Sequence, residues 1–184
     1  MRLFAAVPVT GAAAGELRAL VAELGREGWP VRWVRPEGLH LTLKFFGDTA
    51  PDRAGPIGAL LERAVGRTGP VACAPEGLGT FPALGPARVL WAGYHGEPAL
   101  ELLAHRIEEG AVTLGFPVDG RPFRAHVTLG RIRDGSRLPV AAAAQLDGRH
   151  LLESFMAERV VLYRSAPGPG GSPYDPLATF PLDG

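Results

Sequence analysis

The chain has 184 residues, enough for one globular unit, and 46% of them are hydrophobic against 21% charged, which excludes a disordered polyelectrolyte. Its formal net charge is zero, so the chain as a whole does not attract polyanions. No run approaches the ~18 apolar residues that a membrane span needs, and we expect a cytoplasmic protein.

Hydrophobic spacing predicts alternating strands and helices in the first part of the chain. Short apolar runs closed by glycine, proline or aspartate indicate strands, whereas leucines at helical spacing indicate helices. In chain order these elements are a strand over Leu3 to Val7, a helix over Ala12 to Arg26, a short strand over Val31 to Val34, a strand over Leu39 to Phe46 and a helix over Asp52 to Val65.

The second part of the chain continues in the same way, with longer Gly- and Pro-rich loops. Its predicted strands are Val71 to Leu78, Val89 to Tyr94, Phe123 to Ile132, Phe155 to Tyr163 and Leu177 to Leu182, the last at a sheet edge. Its helices are Pro98 to Leu114 and a short one over Leu138 to Leu146, and its loops are Gly79 to Pro86, Gly115 to Pro122 and Ala166 to Pro173. Helices packed on antiparallel sheets account for this mixture.

Two of the predicted strands carry almost the same tetrapeptide, HLTL at residues 40–43 and HVTL at residues 126–129. Positions i and i+2 of a strand point to the same face, so each segment displays an imidazole beside a hydroxyl while its aliphatic residues enter a core. The motifs begin 86 residues apart, close to half the chain, which indicates an ancient duplication. The remaining histidines, His95, His105 and His150, show no such partner pattern.

Other interpretations of the motifs fit less well. A lone histidine in an apolar strand is most often a hydrogen-bonded structural residue, and only the repetition argues otherwise. A metal site is short of ligands, since the acidic residues Glu37, Asp48 and Asp134 lie in flanking turns and the chain has one cysteine. That residue, Cys73, follows no nucleophile pattern, and no Gly-x-Ser-x-Gly elbow is present.

Two histidines that work without a metal suit phosphoester chemistry. Neutral and protonated imidazoles coexist near pH ~6–7, so one can take a proton while the other gives one. The hydroxyls of Thr42 and Thr128 would then hydrogen-bond the non-bridging phosphate oxygens in the transition state. The residues by themselves support the pairing and leave open which histidine is the acid.

With these motifs the chain resembles the two-histidine phosphoesterases, and within them the LigT-like RNA 2',3'-cyclic phosphodiesterases. The resemblance runs nearly end to end. It is carried by LFAAVP at residues 3–8, RWV at 32–34, EGLHLTLKFFG at 37–47, PFRAHVTLGR at 122–131, LYRS at 162–165 and Tyr174. One departure is Ala125, where family members often have proline before the second histidine.

The resemblance implies an α+β, bilobal two-histidine phosphoesterase fold: two pseudo-symmetric lobes of antiparallel sheet with outer helices and a central groove. Residues 1–184 would form a single domain of two intertwined lobes with one motif each. It further implies hydrolysis of RNA 2',3'-cyclic phosphate ends to 2'-phosphomonoesters, without metal or other cofactor. His40 would be the proton donor and His126 the proton acceptor.

The same resemblance assigns roles to residues beside the motifs. Thr42, Thr128 and Arg131 would bind phosphate, although Arg131 lies at an odd offset from His126 and needs a bulge, such as one at Gly130, to reach the motif face. Phe45, at the equivalent offset after His40, would stack on the terminal base, or else be a core aromatic residue. Phe46, Trp33 and Trp91 are expected in the core, whereas Tyr163 and Tyr174 would line the groove.

The expected partners are RNA ends or nucleotides bearing a 2',3'-cyclic phosphate, and we expect a monomer that does not contact membranes. Neutral net charge suggests that only a few terminal nucleotides are bound. Alternative functions are a phosphodiesterase for a small cyclic nucleotide or ADP-ribose cyclic phosphate, a 2'-5' RNA ligase, and a non-catalytic nucleotide-binding module. Two matched acid-base groups argue against the last of these.

Overall fold

The computed structural model describes residues 1–82, 86–96, 98–165 and 174–184. Within these residues the α-helices are α1 (Gly11–Leu24), α2 (Ala54–Val65), α3 (Pro98–Thr113) and α4 (Ala141–Asp147). The strands are β1 (Arg2–Pro8), β2 (Val31–Trp33), β3 (His40–Asp48), β4 (Val71–Phe81), β5 (Val89–Gly96), β6 (His126–Ile132), β7 (Phe155–Ala157), β8 (Arg159–Ser165) and β9 (Tyr174–Pro181). The predicted α+β class is confirmed.

All strand pairs of the described residues are antiparallel, and the strands form one sheet in the order β7-β4-β5-β6-β3-β1-β8-β9, with β2 also pairing with β6. The sheet consists of two halves that meet between β6 and β3: one contains β7, β4, β5 and β6 with β2, and the other contains β3, β1, β8 and β9. The pairing between these two central strands is a single residue pair, Leu41 opposite Val127. The two motif strands are therefore neighbours, one from each half.

The sheet is strongly curled. Strands β7 and β8 pair in different halves of the sheet, yet only Glu158 separates them along the chain. Consecutive Cα atoms are about 3.8 Å apart, so the two halves must also approach each other where these strands meet. A central groove between the halves follows from this curl.

The helices cover the core side of the sheet because their apolar residues recur at helical spacing. Leu17 of α1, Leu61 of α2 and Ile107 of α3 are fully buried and belong to one apolar cluster with Leu41 and Val127. Burying each such side chain stabilises the fold by roughly 1.5–3 kcal/mol. The motif strands thus have one face anchored in the core, which leaves their other face for the site.

Lys44 is a charged residue buried in this core, directly after the first motif. Its Nζ lies 2.7 Å from Glu108 of α3 and 3.0 Å from Asp119, and it donates a hydrogen bond to the Pro117 carbonyl. A buried ammonium is stable only when it is paired in this way. Lys44 therefore ties β3 both to α3 and to the turn that leads to the second motif.

Several predicted element boundaries were wrong: β9 begins at Tyr174 and not at Leu177, and α4 begins at Ala141 and not at Leu138. The predicted strand from Phe155 to Tyr163 is two strands, because the chain passes from one half of the curled sheet to the other at Glu158. The second motif strand begins at His126 and not at Phe123, because the Arg124 carbonyl accepts a bond from the His126 ring.

Another error concerns Gly79, which lies within β4 instead of beginning a loop. A Cβ atom at this position would lie 2.3 Å from the Trp91 ring, so glycine here marks the close approach of an aromatic side chain and not a turn. Residues 83–85 of the predicted loop that follows, and the predicted loop over 166–173, lie outside the described residues.

Candidate active site

The register of the two central strands brings the motifs face to face. Leu41 and Val127 lie opposite each other and are fully buried, so both point into the core. Extending this antiparallel register by one residue in each direction places each motif histidine opposite the threonine of the other motif, on the groove side. The facing pairs are His40 with Thr128 and His126 with Thr42.

Both histidines are oriented by the same hydrogen bond. Nδ1 of His40 lies 2.7 Å from the carbonyl oxygen of Gly38, and Nδ1 of His126 lies 2.7 Å from that of Arg124. A carbonyl oxygen only accepts, so Nδ1 carries the hydrogen in both rings. Nε2, which has no hydrogen-bond partner in the described part of the chain, is left as the nitrogen that can exchange a proton with a ligand.

The motif threonines are half-buried beside these rings. Among the described residues, neither Thr42 nor Thr128 uses its hydroxyl in a hydrogen bond, so both hydroxyls can donate to an anion in the groove. Two imidazoles and two hydroxyls that converge in this way can bind a tetrahedral anion and move protons on opposite sides of it.

A β-bulge directs Arg131 onto the motif face. Along β6, Thr128 pairs with Trp91 of β5 but Gly130 pairs with Leu90, so Leu129 is an extra residue. Leu129 and Gly130 are consequently both buried, and Arg131 is exposed on the groove side. The bulge that the odd offset of Arg131 requires is present, one residue before Gly130.

Strand β3 has a bulge at the matching position, with the same effect. Thr42 pairs with Ala6 of β1 but Lys44 pairs with Ala5, so Leu43 is the extra residue. Phe45 is thereby directed to the motif face and is 54% exposed. This exposure excludes the core position that sequence left open for Phe45, and it makes Phe45 the pseudo-symmetric counterpart of Arg131.

Aromatic rings enclose His40. The Phe4 ring centroid lies 4.9 Å from that of His40, Tyr174 meets the imidazole edge-on at 5.0 Å, and Tyr163 lies 6.1 Å away. Phe4 also contacts Phe45, at 5.7 Å. The predicted positions of Tyr163 and Tyr174 beside the groove agree with this geometry, whereas Phe4 was not singled out because its strand is buried on both faces and shows no alternation.

A different aromatic group borders His126. Phe81 of β4 meets the His126 ring edge-on at 5.1 Å and stacks on Trp91 at 5.0 Å, while the Arg124 guanidinium lies 4.6 Å above the Trp91 ring. Trp91 is buried as expected, but it pairs directly with Thr128 and so lies on the motif side of β5. Sequence reasoning missed Phe81, because only strand pairing brings it to His126. It also missed Arg124, two residues before His126, because the contact of its guanidinium with Trp91 depends on the pairing of β5 with β6.

Burial and nearby positive charge disfavour protonation of both imidazoles. Desolvation lowers the pKa of His40 from 6.5 to about 4. The hydrogen bond to the Gly38 carbonyl acts in the opposite direction and raises this pKa, whereas His126 and Arg131 lower it further. Desolvation also lowers the pKa of His126, helped by Arg124 and Arg131. Both rings are therefore neutral at pH 7 in the free protein, and Arg131 is close enough to influence each of them.

The rest of the described chain offers no comparable site. His105 pairs with Glu109 on the exposed side of α3, and His95 and His150 are exposed. Among the described residues, no cluster of three or more His, Cys, Asp or Glu side chains has the arrangement of a metal site. In the same residues, no helix has the length and apolar character of a membrane span.

One known protein family has a model that matches most of this chain. The family model described as "LigT like Phosphoesterase" matches residues 7–91 and 95–174, which include both motifs. The chain belongs to the LigT-like phosphoesterase family. The resemblance inferred from sequence is thereby confirmed.

Individual relatives align along most of the chain. An RNA 2',3'-cyclic phosphodiesterase of Geobacillus stearothermophilus is 32% identical over 182 residues, which are 98% of this chain and 57% of that protein. One from Archaeoglobus fulgidus is 37% identical over 134 residues, 72% of this chain and 73% of the relative. The chain thus spans little more than half the length of the Geobacillus relative.

A solved structure supports the same fold. A Thermus thermophilus protein of known crystal structure has 29% sequence identity to this chain. The two structures superpose with a TM-score of 0.83 over 100% of this chain and 99% of the other. The crystal structure of E. coli LigT in its apo form, 23% identical in sequence, also superposes with a TM-score of 0.75 over 100% of this chain and 98% of the other. The predicted fold, two halves of antiparallel sheet with outer helices, is therefore that of LigT.

Proposed function

We propose that this chain hydrolyses RNA 2',3'-cyclic phosphate ends to 2'-phosphomonoesters, using two histidines and no metal ion. The observation that carries the proposal is the pair of facing His-Thr motifs, each with its histidine Nδ1 bonded to a carbonyl and its Nε2 free. Relatives named RNA 2',3'-cyclic phosphodiesterase, 32% and 37% identical to the chain, support the choice of substrate.

In the proposed reaction the cyclic phosphate lies between the two motifs. The hydroxyls of Thr42 and Thr128 and the guanidinium of Arg131 bind its non-bridging oxygens, whose charge must be stabilised in the transition state. His126 accepts a proton from water at Nε2 as the water oxygen attacks phosphorus. His40 donates a proton from Nε2 to the departing 3'-oxygen, which leaves a 2'-phosphomonoester.

His40 must gain a proton before it can act as the acid. Its pKa of about 4 in the free protein reflects burial and the positive charges around it. An anionic phosphate in the groove supplies the opposite charge and raises the pKa of both imidazoles, since a nearby anion favours the charged form. Substrate binding therefore favours protonation of His40, which can then act as the acid. The assignment of the acid to His40 and of the base to His126 follows the family resemblance.

Phe45 is the proposed contact for the terminal base. It is exposed at the end of the motif face opposite to Arg131, and stacking on an aromatic ring is tolerant of base identity. We also propose that the protein is a monomer and acts in the cytoplasm. Analytical ultracentrifugation tests the first of these predictions, and localisation of the tagged protein tests the second.

The decisive experiment uses an oligonucleotide that ends in a 2',3'-cyclic phosphate, incubated with the protein in the presence of EDTA. We expect a 2'-phosphate product, with a bell-shaped dependence of the rate on pH. A 3'-phosphate product would reverse the roles of the histidines, and loss of activity on chelation would refute the metal-free mechanism.

Substitution of the histidines tests the pairing. His40→Asn and His126→Asn should each lower kcat by a factor on the order of 100 to 10,000, the usual contribution of a general acid or base. His105→Asn, on the exposed side of α3, is the matched control and should retain activity. A near-normal rate in either motif variant would show that the two histidines do not act together.

A further inference from the structure

Four arginines line one open concavity next to the motifs. Arg32, Arg88, Arg131 and Arg133 border a space of about 600 Å³, together with one acidic residue, Asp134. All four arginines are exposed. We call this space the arginine groove. Since the formal net charge of the chain is zero, this grouping is a local concentration of positive charge and not a general excess.

Strand pairing determines where these arginines lie relative to the motifs. Arg32 of β2 is directly opposite Arg131 of β6, so both side chains project from the same face of the sheet. The backbone N–H of Arg133 donates to the Pro30 carbonyl, which continues this pairing beyond β6 and places Arg133 two residues, about 7 Å, past Arg131. The arginines thus extend from the motif residues away from Phe45.

These arginines have no carboxylate partners in the part of the chain that the structure describes. Other exposed arginines do have them, since Arg149 pairs with Glu23 at 2.8 Å and Arg164 with Asp175 at 2.7 Å. A guanidinium fork binds phosphate through two parallel hydrogen bonds, and several forks in a row suit an extended chain of phosphates.

We propose that the arginine groove binds a phosphodiester of RNA adjacent to the reacting cyclic phosphate, through Arg32 and Arg133, with Arg131 shared between the two phosphates. This inference rests on the proposed function and adds a substrate class to it: oligonucleotide ends are preferred over mononucleotides. The bound phosphodiester belongs either to the strand that carries the cyclic phosphate or to a second strand whose 5'-hydroxyl approaches the cyclic end.

The test compares a nucleoside 2',3'-cyclic phosphate, which has no other phosphate, with a trinucleotide that ends in the same group. In the wild-type protein we expect kcat/KM to be higher for the trinucleotide, mainly through a lower KM. In the double variant Arg32→Gln/Arg133→Gln, the ratio of the two kcat/KM values should fall about five- to tenfold, because each charged contact contributes modestly.

The control is Arg63→Gln/Arg67→Gln, which removes two exposed arginines near the end of α2 and changes the net charge equally. It should leave the ratio unchanged. A separate arm measures inhibition of mononucleotide hydrolysis by a trinucleotide with 5'- and 3'-hydroxyl ends. Inhibition that is weaker in Arg32→Gln/Arg133→Gln than in the control shows that the arginine groove also binds a phosphodiester of a strand that carries no cyclic phosphate, whereas a length advantage without this inhibition assigns the phosphodiester to the reacting strand.

The outcomes separate this inference from the proposed function. Hydrolysis of the mononucleotide with neither a length advantage nor inhibition by the hydroxyl-ended trinucleotide would overturn the arginine groove and leave the proposed function standing. A fall in the ratio that is equal in the control variant would also overturn it, because overall charge would then be the cause. No hydrolysis of either cyclic phosphate would refute the proposed function itself.

Discussion

Lowering the pH from 7.5 to 4 should destabilise the protein through His40. Burial lowers the pKa of this residue to about 4 in the folded protein, whereas an unfolded chain titrates near 6.5. At pH values between about 4 and 6.5, the unfolded state binds a proton at His40 that the folded state excludes. The contribution of the neutral His40 ring to the unfolding free energy is therefore fully present above pH 6.5 and is lost as the pH falls towards 4.

The size of this effect follows from the difference between the two pKa values. One unit of pKa corresponds to about 1.4 kcal/mol, so the difference between 6.5 and about 4 corresponds to about 3 kcal/mol of unfolding free energy. His126 adds to the loss in the same direction, since burial lowers its pKa too. A loss of this size is a large fraction of the stability of a typical domain.

Urea unfolding at pH 7.5, 5.5 and 4.5 measures the effect. We expect His40→Asn to lose less unfolding free energy over this range than the wild-type protein, by about 2–3 kcal/mol, because the titrating group is gone. His150→Asn, at an exposed position, is the control and should behave like wild type. If His40→Asn and wild type lose equal free energy, the inferred exclusion of the proton from His40 is wrong. Titration of the His40 ring by NMR checks the same pKa directly.

Three further predictions concern the residues around the motifs. Thr42→Val and Thr128→Val should each lower kcat/KM about tenfold or more at unchanged stability, measured with the cyclic phosphate substrate, because each loses one donor to the phosphate. Lys44→Met should cost about 2 kcal/mol in urea unfolding, since it leaves two partly solvated carboxylates without their cation. Gly130→Ala should destabilise the fold, because its Cβ would lie 2.4 Å from Val31, whereas Gly15→Ala, in open space on α1, should not.

Much of the site could be recognised in the sequence because its chemistry is local. Alternation within each motif put an imidazole and a hydroxyl on one face and the aliphatic residues on the other, and the burial of Leu41 and Val127 bears this out. The odd offset of Arg131 required a bulge, and the bulge is present in β6. Helix positions followed from the spacing of leucines in the same way.

Sequence could not identify which strands pair or where the chain crosses between the halves of the sheet. The segment from Phe155 to Tyr163 has one continuous strand pattern, but its two parts pair with β4 and with β1, on different sides of the groove. Phe4 and Phe81 reach the histidines only because their strands lie in the same curled sheet.

The amino-acid sequence by itself determined that this protein has two His-Thr pairs, each on one face of a strand with its other face in a core. Tertiary structure alone decided that His40 faces Thr128 and that Arg32 lies beside Arg131. The physical reason is that a two-residue period specifies the face to which a side chain points, whereas the partner strand depends on contacts between residues far apart in the chain.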